Sequence, residues 1–139
     1  MNKMDDYEQG TYIASITPQA GGSITLNPGY DDMAYVKIGD LVNVFGRVRV
    51  SSVSSPSGEV HFSLPFTSSN LAGDAGRVSG VCYVQNGTQN LNEYGIHPTL
   101  EGNAYVQIGR TNGTAFNNVI GGDFGGNELI YISVTYRAA

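Results

Sequence analysis

The stretch Leu41-Val42-Asn43-Val44-Phe45-Gly46-Arg47-Val48-Arg49-Val50 decides the fold. Val42, Val44, Val48 and Val50 fall on one side, with Gly46 in the same register. Leu41, Asn43, Phe45, Arg47 and Arg49 fall on the other. A period of two is that of a β-strand with one buried face. The segment just before it, Met33 to Ile38, reads as its hairpin partner. The two-residue link Gly39-Asp40 suits a type II′ turn, whose first central position wants glycine.

Working outward, the same alternation returns. Glu59 to Leu64 offers Val60, Phe62 and Leu64 to a core and leaves Glu59, His61 and Ser63 outside. Leu129 to Tyr136 places Ile130, Ile132, Val134 and Tyr136 on one face. Arg77 to Val84 and Ala104 to Arg110 are weaker strands, and Thr11 to Thr17 opens the set. Nineteen glycines punctuate the chain, and the longest glycine-free interval, Glu59 to Ala72, contains Pro65. A helix of average length has almost nowhere to form, because glycine and proline both disfavour helix interiors. Asn86-Gly87 and Asn112-Gly113 mark turns, although each also begins an Asn-Gly-Thr glycosylation sequon, and Gly121 to Gly126 reads as an irregular loop. Seven to nine short strands with glycine-rich turns predict an all-β protein, an antiparallel β-sandwich of jelly-roll type. Residues 1–6 are expected to form an N-terminal arm, and residues 7–139 a single β-sandwich domain.

Composition narrows the function. Charged residues make up 14% of the 139, against a typical quarter, and the formal net charge is −5. Seven Lys and Arg do not make the clustered basic patch that nucleic acid or an anionic membrane demands, so neither is an expected partner. Cys82 is the only cysteine, so an internal disulfide is impossible. The opening Met-Asn-Lys-Met-Asp-Asp-Tyr-Glu lacks the apolar run of a signal peptide, and no stretch reaches the ~20 apolar residues of a membrane span. The expectation is a soluble protein made in the cytoplasm. Its surface is short of charge and covered by Gly, Ser, Thr, Asn and nine tyrosines, which suits neutral polar partners such as glycans or protein subunits.

Catalytic groupings are hard to find, and no enzyme activity, cofactor or metal is expected. His61, His97 and Cys82 lie on separate segments without metal-ligand spacing. The two histidines are expected to be solvated, His61 on the open face of its strand and His97 in a loop before Pro98. No Gly-x-Ser-x-Gly elbow is present. Asp31, Asp32, Asp74 and Asp123 fall mostly in predicted loops and read as turn formers and solubilising charges. A calcium site at Asp31-Asp32 lacks the EF-hand pattern. Of the tyrosines, those inside strand patterns, such as Tyr12, Tyr35 and Tyr136, read as packing. Tyr30 and Tyr94, beside glycines in predicted loops, are the candidate ligand-binding residues.

Several stretches together resemble the C-terminal domains of tailed-phage tail fibres and tailspikes. They are Asp5-Asp6-Tyr7-Glu8-Gln9-Gly10-Thr11-Tyr12, then Ala34-Tyr35-Val36-Lys37-Ile38-Gly39-Asp40-Leu41-Val42 with the strand after it, then Gly58-Glu59-Val60-His61-Phe62-Ser63-Leu64-Pro65-Phe66, and the closing Leu129 to Tyr136. The match is poor over residues 67–128, and its motifs speak to fold rather than chemistry. The resemblance implies a jelly-roll-like knob that assembles as a homotrimer, sits on the virion and adheres to host-surface polysaccharide. Its neighbours would be other virion proteins of the tail. In that family the domain follows a long shaft, whereas this chain begins a few residues before the domain. That difference raises an alternative, a small capsid decoration (cement) protein whose trimer clamps the major capsid protein.

Overall fold

The computed structural model describes residues 6–86, 93–97, 101–111, 115–117 and 119–139. Among these residues eleven strands follow in order: β1 Tyr7–Ile13, β2 Ile16–Pro18, β3 Gly21–Leu26, β4 Asp32–Ile38, β5 Leu41–Ser57, β6 Val60–Ser63, β7 Gly80–Gln85, β8 Glu93–His97, β9 Tyr105–Thr111, β10 Phe116–Asn117 and β11 Leu129–Arg137. Two short 3-10 turns, Ala72–Asp74 and Gly121–Asp123, complete the described elements. The protein is all-β, and its strand pairs among the described residues are antiparallel.

The strands make one ladder in the order β1-β4-β5-β11-β7-β8-β9-β6-β2, with β10 added on β9 and β3 on β5. Two facts of connection show that this ladder is curled. β2 closes the far edge on β6, yet β3 follows after only Gln19 and Ala20 and pairs with the distal half of β5 in the middle of the ladder. Two residues span at most ~10 Å, so the far edge must lie beside β5. The apolar sides of the curled sheet meet in one core. Val42, Val44, Val48 and Val50 of β5 join Ile130, Ile132, Val134 and Tyr136 of β11 there, with Phe62, Val106 and Ile108 across from them.

The β4–β5 hairpin forms as its sequence predicts. Ile38 pairs with Leu41, and Gly39 takes φ 58°, a positive value that its lack of a Cβ permits at no cost. The β5 strand is longer than its valine pattern. It runs on through Ser51–Ser57, where it leaves β11 and pairs with β3 across two register shifts. At the first shift Gly22 (φ 76°) lies so close to the carbonyls of Ser54 and Ser55 that a Cβ has no room. Thr11 to Thr17 is not one strand: β1 ends at Ile13 and β2 starts at Ile16. The turn expectation at Asn112-Gly113, and Gly87 of the other pair, lie outside the described residues.

Candidate binding surfaces

The two tyrosines expected in loops have different fates. Tyr94 sits within β8, opposite Arg110 of β9, and packs against the core. Its hydroxyl donates to Asp123 Oδ2 at 3.3 Å, and Arg110 Nε donates to the same oxygen at 2.5 Å. Burial, and then the Asp123 charge, push the phenol far above its usual range. This hydroxyl is committed within the fold. The same contacts correct the reading of Asp123, which is a buried partner of Arg110 rather than a solubilising loop charge. Nearby, Glu128 is also buried and accepts from the backbone N–H groups of Gly125 and Gly126 at 2.5 and 3.1 Å.

Tyr30 is exposed, in the turn between β3 and β4. It lines a hollow of about 360 Å³ together with Arg47 and Arg49 of β5, Asn86, Asn127 and Leu129. Four segments of the chain meet there. Asn86 and Asn127 are held at φ 64° and 105°, left-handed values that few residues other than glycine adopt. Arg47 lies 5.9 Å from the centre of the Tyr131 ring, within reach of a cation–π contact.

A second polar surface runs across β2, β6 and β9. His61 is not solvated as expected. Its ring stacks on Tyr105, with centroids 3.9 Å apart and planes within 9°. Its Nε2 lies 3.5 Å from Glu59 Oε2 and 3.5 Å from Gln107 Nε2, while Gln107 donates to Glu59 Oε2 at 3.0 Å. Burial lowers the imidazole pKa, and this outweighs the nearby Glu59, which raises it. At neutral pH the ring is therefore uncharged, and its contact with Glu59 is not an ion pair. His61 and Tyr105 line a groove of about 290 Å³ with Ser15, Thr17, Gln19, Ser63 and Ala104. His97 lies at the end of β8, paired with Gln107, rather than in a loop.

The third surface is apolar and faces out. On the side of the sheet opposite Ile132 and Cys82, Val81 and Tyr83 of β7 are 66% and 58% exposed, and Phe45 of β5 is 43% exposed. Register makes them neighbours: Ser133 pairs with both Phe45 and Val81, and Tyr131 with both Arg47 and Tyr83. The Tyr83 and Tyr131 rings lie 5.7 Å apart. Four large apolar or aromatic side chains on three adjacent strands thus lie open to solvent in the single chain. Cys82, between two of them in sequence, points inward, and burial pushes its thiol up to about 12. Among the described residues no group of three His, Cys, Asp or Glu stands close enough to hold a metal ion.

These surfaces sit on a fold that other proteins share. The Dettilon tailspike protein, known from a crystal structure, superposes with a TM-score of 0.76 over 96% of this chain at 19% sequence identity. This chain covers 24% of the tailspike, so it spans about a quarter of that protein's length. At such identity the likeness establishes a common fold, with the curled antiparallel sheet at its centre. No protein-family model and no curated protein matches the chain.

Proposed function

We propose that this chain is a non-enzymatic structural domain on the surface of a bacteriophage particle. It works as a homotrimeric knob and docks on host-surface glycan. The observation that carries this reading is the open face of Phe45, Val81, Tyr83 and Tyr131, on a fold shared with a tailspike. Contiguous apolar patches on soluble proteins mark interaction sites, and a patch of this kind on an otherwise polar, weakly charged domain fits a second copy of itself. Closed cyclic symmetry then buries the same patch on every subunit. The glycan part of the reading is supported by the polar hollows around Tyr30 and Tyr105. Each sets an aromatic ring beside amide, hydroxyl or guanidinium groups, the combination that sugars favour.

The test uses the purified chain. Light scattering at micromolar concentration should return the mass of a trimer, and the trimer should block adsorption of the phage to its host cells. A monomer would overturn the oligomeric reading. A trimer that ignores cells but restores heat resistance to capsids lacking it would replace adhesion by shell decoration.

A further inference from the structure

The cations of this chain are few, and most of those the structure describes are occupied. Arg110 pairs with Asp123, Arg77 with Asp74 and Arg137 with Asp40, while Lys37 lies over the Phe66 ring. Arg47 lies over the Tyr131 ring, and among the described residues no carboxylate lies within 4 Å of it or of Arg49. They stand two apart on the outward side of β5, so both guanidinium groups project from the same face, and both line the hollow beside Tyr30. Two cations held side by side repel each other, and an anion between them turns that repulsion into attraction. The planar guanidinium fork suits a carboxylate or phosphate in particular.

The remaining walls have the chemistry of a sugar site. Tyr30 is 50% exposed. Asn86 and Asn127, which line the same hollow, are exposed as well. An aromatic face stacks on a pyranose ring, and amides exchange donors and acceptors with its hydroxyls. We infer that Tyr30, Arg47, Arg49, Asn86 and Asn127 form a binding site for an acidic sugar. Its anionic group lies between the two arginines and its ring lies against Tyr30. This deepens the glycan-docking reading and rests on it. It also changes one expectation drawn from composition, that the surface suits neutral partners: a chain poor in cations still offers an anion a contact where two of them converge.

The site is tested by calorimetric titration of the intact chain with tetragalacturonic acid, its methyl ester, glucose 1-phosphate and inorganic phosphate. Binding of tetragalacturonic acid or glucose 1-phosphate supports the site, and the stronger of the two tells which acid it prefers. The neutral ester should bind at least 10-fold more weakly, and raising salt from 50 to 500 mM should weaken the acidic probes similarly. R49Q and Tyr30→Ala, both at exposed positions, should each lower affinity at least 10-fold while leaving thermal unfolding unchanged. The assignment is overturned if neither acidic sugar binds, if R49Q binds as the native chain does, or if inorganic phosphate binds as tightly as the sugars. A native chain that still blocks phage adsorption, with R49Q blocking equally well, would remove this site and leave the adhesion reading standing.

Discussion

The hydroxyl of Tyr136 lies 3.2 Å from the backbone nitrogen of Phe66 and 2.9 Å from its carbonyl oxygen, so one phenol accepts from and donates to the same residue. The ring is buried at the end of β11, and Phe66 sits in the segment after β6 with Tyr35 edge-on to it at 5.2 Å. This bond pair fastens the Leu64-Pro65-Phe66 segment to the last strand. Burial pushes the Tyr136 phenol up to about 12, against the opposing effect of its backbone hydrogen bond, so it is un-ionised at neutral pH.

Replacing Tyr136 by Phe keeps the ring and removes only the hydroxyl. Both polar groups of Phe66 then lose this partner in a part-buried setting. A loss of about 1–3 kcal/mol is expected. Urea unfolding of Y136F should show a lower midpoint at unchanged slope. A midpoint equal to that of the native chain would mean that water replaces the hydroxyl without cost.

A second prediction concerns Arg110 and Asp123, whose side chains are 18% and 8% exposed. Removing one member of a buried pair leaves the other charged without its counter-ion, which costs about 3–5 kcal/mol. Asp123→Asn should therefore destabilise strongly. The double variant Arg110→Leu with Asp123→Leu, which leaves neither charge behind, should lose less than the single one. A double variant less stable than Asp123→Asn would contradict this account.

Much of the fold was legible because β5, β6 and β11 each have one wet face and one dry face, which writes a period of two into the sequence. Ile130, Ile132, Val134 and Tyr136 are all buried, as the alternation of Leu129 to Tyr136 predicts. The second half of β5 was not legible. Ser51–Ser57 has little apolar contrast and contains Pro56, and it is held as a strand by β3 pairing rather than by its own pattern. β3 begins with two glycines and signals itself only through Ile24 and Leu26. The burial of Asp123 was hidden because Arg110 is 13 residues away and is brought close only by the fold. Tyr30 was a visible candidate, but its hollow was not, since its walls come from four separate segments.

The third prediction is a pH dependence centred on His61. Burial lowers its pKa in the folded chain below the usual value of about 6.5. In the unfolded chain the ring takes up a proton near that usual value, whereas the native ring does so only at lower pH. Between those points the unfolded state binds more protons, so stability falls as the pH drops below about 6.5. Urea midpoints at pH 7.5, 6.5 and 5.5 should decline across this window in the native chain. H61Q should lack that part of the decline, and an identical slope in both proteins would assign it to other groups.

The last prediction separates the apolar face from the core behind it. Val81 and Tyr83 project outward from β7, while Cys82 between them is buried. Substitutions at exposed positions usually change stability by no more than ~0.5 kcal/mol, so Val81→Glu combined with Tyr83→Glu should leave the melting temperature of a single chain nearly unchanged. In a trimer the effect is different. Three copies of the face would bring six added carboxylates together, in contacts that exclude water, with Arg47 the cation in register with Tyr131 in each chain. Burying unpaired charge is costly, and like charges repel at close range, so the assembly should dissociate. Light scattering should report a monomer for the double variant under conditions where the native chain is a trimer. A native trimer whose double variant remains a trimer would place the subunit contact elsewhere on the domain and leave Phe45, Val81, Tyr83 and Tyr131 free for a different partner.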